Sequence, residues 1–106
     1  MCQYLGVNFH QKLLRSFMER FVLWGTYCAH AVKKREPFRE EHLARLASLK
    51  KQGILITLGP TKCTRYVFGI FKAENLETVK ALIEEDVYSK EEIWTSTEVY
   101  PWTQAF

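Results

Sequence analysis

Residues 35 to 60 do most to limit what this chain can become, because they spell a helix, a stop and a strand in succession. Pro37 suits a first helical turn, the run from Glu36 to Lys51 is rich in good helix formers, and Gly53 supplies the stop. Ile54-Leu-Ile-Thr-Leu58 follows, and three of its five residues are β-branched. At about 3.6 residues per turn, Phe38, His42, Leu46 and Leu49 fall on one face. An imidazole therefore sits in the stripe that should pack on a sheet.

The rest of the chain supplies that sheet. Residues 20 to 27 read as strand one, with Gly25 as a bulge or point of close approach, and a loop through Cys28 to Lys34 leads to the helix. Strand two, 54 to 58, turns through Gly59-Pro-Thr-Lys-Cys-Thr64 into strand three, 65 to 71. Asn75 is a good N-cap for a second helix, with Glu77 in its first turn and a stripe of Leu76, Val79, Leu82 and Ile83. The same spacing brings Asp86 to that face. It is the third acid of Glu84-Glu85-Asp86, at a helix C-terminus where the macrodipole disfavours a carboxylate by roughly 0.3–1 kcal/mol. Strand four, 93 to 100, precedes an apolar tail, 101 to 106.

The order β-α-β-β-α-β predicts an α+β, ferredoxin-like domain: an antiparallel sheet with both helices on one face. A sheet with one wet face should alternate polar and apolar residues. These strands do not, since Leu55 lies between Ile54 and Ile56, and Tyr66, Phe68 and Ile70 interleave with Val67 and Phe71. The expected cover for the second face is another copy of the chain, packed sheet to sheet in a two-fold homodimer.

Charge and cysteine content narrow the function. Most of the net charge of +3 arises in residues 1 to 18, which hold Lys12 and Arg15 and no acid, while 19 to 106 nearly balance 13 basic against 12 acidic residues. The first segment reads as an N-terminal extension outside the fold, with Met18 as the working start and an organelle-targeting arm or a packed arm as the lesser alternatives, and 19 to 106 read as the domain. A near-neutral domain argues against a nucleic-acid surface. Three widely spaced cysteines give no disulfide framework or zinc ribbon, and no apolar run reaches the roughly 20 residues of a membrane span. Cytoplasm is the expected compartment, with neither nucleic acid nor membrane as partner. Cys28-x-His30 is at most half a metal site without a second pair, so no metal is expected.

Lys34-Arg35, Arg39-x-x-His42-Leu-x-x-Leu46, Gly53-x-Leu55-x-Thr57-x-Gly59-Pro60 and Asp86-x-Tyr88 stand in an order and spacing that resemble the YciI-like, or YCII-related, proteins over about residues 20 to 106. The resemblance implies a ferredoxin-like protomer forming a dimeric α+β barrel. It also implies a catalytic histidine and aspartate facing one another in a cleft, which fall on His42 and Asp86. Some relatives resemble dehydrochlorinases of chlorinated hydroxyquinols, and most have no assigned reaction. The chain departs from the pattern at Val87, where Asp-Pro-Tyr is usual, and in Ser89-Lys-Glu-Glu92, which lacks the customary glycine before strand four.

A histidine with a carboxylate at its other nitrogen is general acid-base equipment, and no activated serine or cysteine accompanies it. The chemistry expected is proton abstraction on a small organic molecule, as in elimination, isomerisation or lactone handling, without a cofactor. Arg35 is placed to hold a substrate carboxylate or phenolate, and Trp24, Tyr27, Tyr66, Tyr88 and Trp94 offer aromatic walls, with Tyr88 and Trp94 as candidate substrate contacts. Two other classes stay open: a ligand-binding or regulatory dimer without turnover, and an interaction scaffold.

Overall fold

In the computed structural model, residues 18–106 are described. The N-terminal extension expected over 1 to 18 lies, apart from Met18, outside the described residues. The elements run β1 (Glu19–Tyr27), α1 (Ala31–Lys34), α2 (Glu36–Lys51), β2 (Leu55–Pro60), β3 (Tyr66–Ala73), α3 (Leu76–Glu84), α4 (Val87–Lys90) and β4 (Trp94–Trp102). The four strands form one antiparallel sheet in the order β2-β3-β1-β4. This is the ferredoxin-like arrangement expected from the sequence, with one-turn helices α1 and α4 where irregular chain was read.

One face of the sheet makes the core. Phe21, Leu23 and Tyr27 of β1, Val67 and Phe71 of β3, and Leu55 of β2 are buried against Leu49 of α2, Val79 and Ile83 of α3 and Val87 and Tyr88 of α4. Gly25 lies on that face for a steric reason. A Cβ there would stand 2.7 Å from the Ser96 carbonyl oxygen, so β4 approaches as closely as it does only because the side chain is missing. Both prolines that the sequence placed in a turn and a tail, Pro60 and Pro101, lie instead in strands. Those strands are the two edges of the sheet, where a missing N–H costs no ladder bond.

The opposite face is bare and aromatic. In register across β3, β1 and β4 it presents Phe68, Trp24 and Glu98 in one row and Ile70, Val22 and Tyr100 in the next. Trp24, Phe68 and Trp102 keep 38–40% of their surface exposed and Tyr100 keeps 49%. Trp24 stacks on Tyr66, with centroids 5.2 Å apart. A patch of this kind is uncommon on a monomer.

Candidate active site

The helix stripe read from the sequence holds: His42 and Leu49 are buried, and Phe38 and Leu46 pack on the core. Asp86 reaches the same place by a different route from the one expected. α3 stops at Glu84, and Asp86 has extended backbone (φ −69°, ψ 141°) as the N-cap of α4. Its carboxylate accepts the Tyr88 backbone N–H at 2.9 Å. Asp86 directly follows the α3 C-cap, its N–H donating to the Ile83 carbonyl, and at the same time it caps the N-terminus of α4, a position that favours negative charge. Ser89 Oγ turns back to donate to the Ile83 carbonyl at 2.6 Å, tying α4 to the last turn of α3.

His42 Nδ1 and Asp86 Oδ1 are 2.7 Å apart, in a pair that leaves 4% of the histidine and 1% of the aspartate exposed. Arg45, one turn beyond His42 on α2, donates from Nη1 to Asp86 Oδ2 at 3.2 Å and from Nη2 to the Leu82 carbonyl at 2.8 Å. Asp86 thus accepts on both oxygens beside a guanidinium, the environment of an ionised carboxylate. An ionised carboxylate cannot donate, so the network assigns the shared proton to His42 Nδ1. Nε2 has no hydrogen-bond partner among the described residues, and the fully enclosed unpaired polar side-chain atoms there are Arg20 Nε, Arg35 Nε and Trp94 Nε1, not this one. The imidazole keeps one nitrogen free.

Aromatic packing fixes the ring. Tyr88 lies flat on the imidazole, with centroids 3.6 Å apart and planes 8° from parallel. Trp94 meets both rings edge-on, at 5.3 Å from His42 and 5.6 Å from Tyr88. Burial raises the Tyr88 phenol above its ordinary value, against the opposing pull of the Arg35 and Arg39 charges. Of the residues singled out in the sequence, His42, Asp86, Tyr88 and Trp94 form one cluster. Arg35, the junction of α1 and α2, lies near enough for its charge to act on Tyr88, and its Nε is enclosed without a partner. Arg45 was not anticipated. Two signals could have found it: its place three residues after His42, and the need of an inward Asp86 for a cation.

The cluster is poorly suited to a metal, since Arg45 occupies the carboxylate oxygen a cation would need. No three of His, Cys, Asp or Glu converge as ligands among the described residues. There, too, no helix is long and apolar enough to cross a membrane.

Residues 19–103 match the YCII-related domain, nearly the whole of the described chain. The chain belongs to that family. Among solved structures, this YCII-related protein is similar to the 5-chloro-2-hydroxyhydroquinone dehydrochlorinase of Burkholderia phenoliruptrix, solved in complex with 2,5-dihydroxybenzoquinone. The TM-score is 0.71 at 24% identity, over 81% of this chain and 95% of the other. That likeness is one of fold. A comparison with curated protein sequences gives no match. Glu92, just before the last strand, lies in the left-handed region at φ 56°, a conformation that glycine adopts more readily than glutamate.

Proposed function

We propose that this protein is a small enzyme that needs no cofactor and uses His42 as general acid-base, with Asp86 as the residue that orients it. The observation that carries this reading is the 2.7 Å contact at Nδ1 combined with an uncommitted Nε2. Asp86 holds the Nδ1–H tautomer, so Nε2 of the neutral ring presents a lone pair and can take a proton from a substrate. The imidazolium that forms keeps its hydrogen bond to a carboxylate and lies against the Tyr88 ring face, both favourable to positive charge. Nε2 then gives the proton up to the departing group or to solvent, which restores the neutral imidazole. Proton abstraction followed by loss of a leaving group is an elimination, and the fold shared with a dehydrochlorinase favours that among elimination, isomerisation and lactone chemistry. Arg35, Tyr88 and Trp94 are the side chains we assign to the substrate, Arg35 to its carboxylate or phenolate.

The working form, in this reading, is a homodimer through the bare sheet face, because Trp24, Phe68, Tyr100 and Trp102 are too large and too contiguous to leave in water. The compartment we assign is the cytoplasm.

The test needs no substrate. Ring ¹⁵N spectra of His42 should show Nδ1–H and bare Nε2 in the wild type. In Asp86→Asn, whose amide can donate to Nδ1, the Nε2–H tautomer should appear. A wild-type ring protonated on Nε2 would sink the proposal. Activity follows as a second check. Chloride release from 5-chloro-2-hydroxyhydroquinone is the first assay, and His42→Ala should lower any turnover by about 10²- to 10⁴-fold.

A second reading has its own support. With so little surface on His42 and Asp86, the same contacts also describe a clamp between α2 and α4, in a ligand-binding or scaffold dimer without turnover. A His42→Ala protein that loses stability while every wild-type assay stays silent would favour that alternative.

A further inference from the structure

Beyond the C-terminal end of β1 lies a cavity of about 760 Å³, between the chain from Tyr27 to Lys33 and the turn from Cys63 to Tyr66. Tyr27, whose ring meets Tyr88 edge-on at 6.5 Å, separates it from the His42 cluster. Cys28 and His30, the half of a metal site noted in the sequence, line this space, and Cys63 lines it from the opposite loop. Three metal ligands do not converge among the described residues, so what the fold gathers here is a pair of free thiols. The ladder between β1 and β3 brings them near. Thr26 stands opposite Tyr66, and the Tyr27 N–H donates to the Arg65 carbonyl at 2.9 Å. One step further the two sides carry Cys28 and Thr64, and Cys63 is the next residue of the turn. Opposed residues of an antiparallel pair lie about 4.5–5.5 Å apart at Cα, and a disulfide spans about 4.4–6.8 Å. Cys63 is thus about one residue out of register with Cys28, and that displacement falls in a turn, not in the ladder.

The two thiols differ in kind. Cys63 is exposed, with its sulfur 3.3 Å from the Thr61 hydroxyl, and that hydroxyl and then the Arg65 backbone N–H draw the thiol below its ordinary value. Cys28 is half-buried against the core, and its N–H is anchored on the Ile93 carbonyl at 2.8 Å. An accessible thiol that favours its thiolate, beside a second thiol held in place, is the arrangement of an oxidation-sensing cysteine and its resolving partner. A strained backbone accompanies both. Of three non-glycine residues with positive φ among the described residues, His30 at 58° lies just after Cys28 and Thr64 at 56° directly follows Cys63. For threonine, branched at Cβ, that conformation is a true outlier, and such strain clusters at switch regions.

We propose that Cys63 and Cys28 form a peroxide-responsive thiol pair, in which Cys63 is oxidised first and Cys28 resolves it to a disulfide across this cavity. In the first step the Cys63 thiolate attacks a hydroperoxide; an S–O bond forms, the O–O bond breaks, and hydroxide or alkoxide departs from the new sulfenic acid. In the second, the Cys28 sulfur attacks the Cys63 sulfur. The S–O bond breaks, the S–S bond forms, and the departing hydroxide takes the Cys28 proton to leave as water. Two electrons have then passed from the thiols to the peroxide, and a dithiol reductant restores the pair by exchange. Neither His42 nor Asp86 takes part, so the switch stands apart from the acid-base reading.

The experiment uses the full chain in a Cys2→Ser background, which leaves only these two thiols, reduced and then treated with hydrogen peroxide. Peptide mapping without reductant should find Cys28 joined to Cys63 within one chain, and dithiothreitol should undo the link. The link should form at least about tenfold faster in the folded protein than in urea, because only the fold keeps the thiols together. Dimedone, which traps sulfenic acids, reads the order of events. It should label Cys63 strongly once Cys28→Ser is added, and leave Cys28 nearly unlabelled when Cys63→Ser is added instead. The link is mapped with both cysteines in place, so the test does not depend on either variant folding. The proposal is overturned if no link between Cys28 and Cys63 forms, if the link joins two chains, if it forms as fast in urea, or if Cys28 takes up dimedone as readily as Cys63.

Discussion

Around His42 the polar groups are tied to one another and almost no surface is left. Asp86 takes hydrogen bonds from His42, Arg45 and the Tyr88 amide, and aromatic rings pack on the imidazole, leaving Nε2 as its uncommitted atom. Across Tyr27 the situation is the opposite: about 760 Å³ of space, cations without ion pairs among the described residues, and a backbone bent into left-handed turns. One region has a histidine–carboxylate pair and little room, and the other has room and no such pair. The difference teaches that burial has two uses in this domain. At the first site it strengthens a charged network by lowering the local dielectric. At the second, polar groups stay in reach of water and cost little to remove.

Single substitutions should separate the two regions by stability. Asp86→Ala strips the partner from a buried His42 and a half-buried Arg45, and the expected loss is about 3–5 kcal/mol. Arg65→Ala, at the cavity wall, should change stability by no more than about 0.5 kcal/mol. Urea unfolding of both proteins makes the measurement. Near-equal midpoints would erase the contrast.

Arg45→Met sharpens the same comparison within the network. It removes hydrogen bonds to Asp86 and to the Leu82 carbonyl but leaves the His42 contact, so a smaller loss of about 1.5–3 kcal/mol is expected. Glu85 is the control. Its 3.8 Å approach to Arg45 is exposed on the acid side, and Glu85→Gln should cost about 0–1 kcal/mol. An Arg45→Met protein as stable as Glu85→Gln would show that Asp86 does not need its cation.

The third effect appears only in alkali. Tyr88 is raised above its ordinary value of 10.0, chiefly by burial. The unfolded chain therefore loses its phenolic proton first, and the stability tied to this group is present below about pH 10 and falls as pH climbs from there. Tyr88→Phe keeps the ring on His42 and removes the titration. The fall in urea midpoint above pH 10 should be shallower in Tyr88→Phe than in wild type, and an identical fall would place the alkaline sensitivity elsewhere.

How much of this was legible in the sequence follows the physics of each feature. Periodicity and stop signals are local, so β1, α2, β3, the Asn75 cap and the position of His42 could be read directly. Asp86 was found for an incomplete reason: its helical spacing pointed inward, but a break and a new N-cap put it there. Pro60 and Pro101 misled the strand ends, because whether proline is tolerated depends on which strand is an edge, a property of the sheet and not of the dipeptide. The cavity was unreadable. Its lining joins two distant loops, and the left-handed backbone at His30 and Thr64 leaves no mark in residues that are not glycine. Arg45 lay in between, visible only once Asp86 was known to be buried.

The smallest effect expected is on a reaction rate and not on stability. Cys63 is exposed at the cavity rim, and its thiol is drawn below the ordinary 9.0, first by its hydrogen bond with the Thr61 hydroxyl, 3.3 Å away, and then by the Arg65 backbone N–H. Donors of this kind favour the thiolate, the form that reacts with alkylating agents. In a Cys2→Ser/Cys28→Ser background, the rate of Cys63 alkylation by iodoacetamide should rise with pH to a midpoint below 9.0. Thr61→Val should move that midpoint upward and slow the reaction at pH 7, while hydrogen exchange at the Thr64 amide, which donates to the Thr61 backbone carbonyl, reports whether the turn has held. A midpoint that does not move in an intact turn would show that the hydroxyl does not tune the thiol. In a loosened turn, the thiol and the cavity wall would prove to be one structural unit, and the rim of the roomy region would be less independent of its neighbours than that of the buried one.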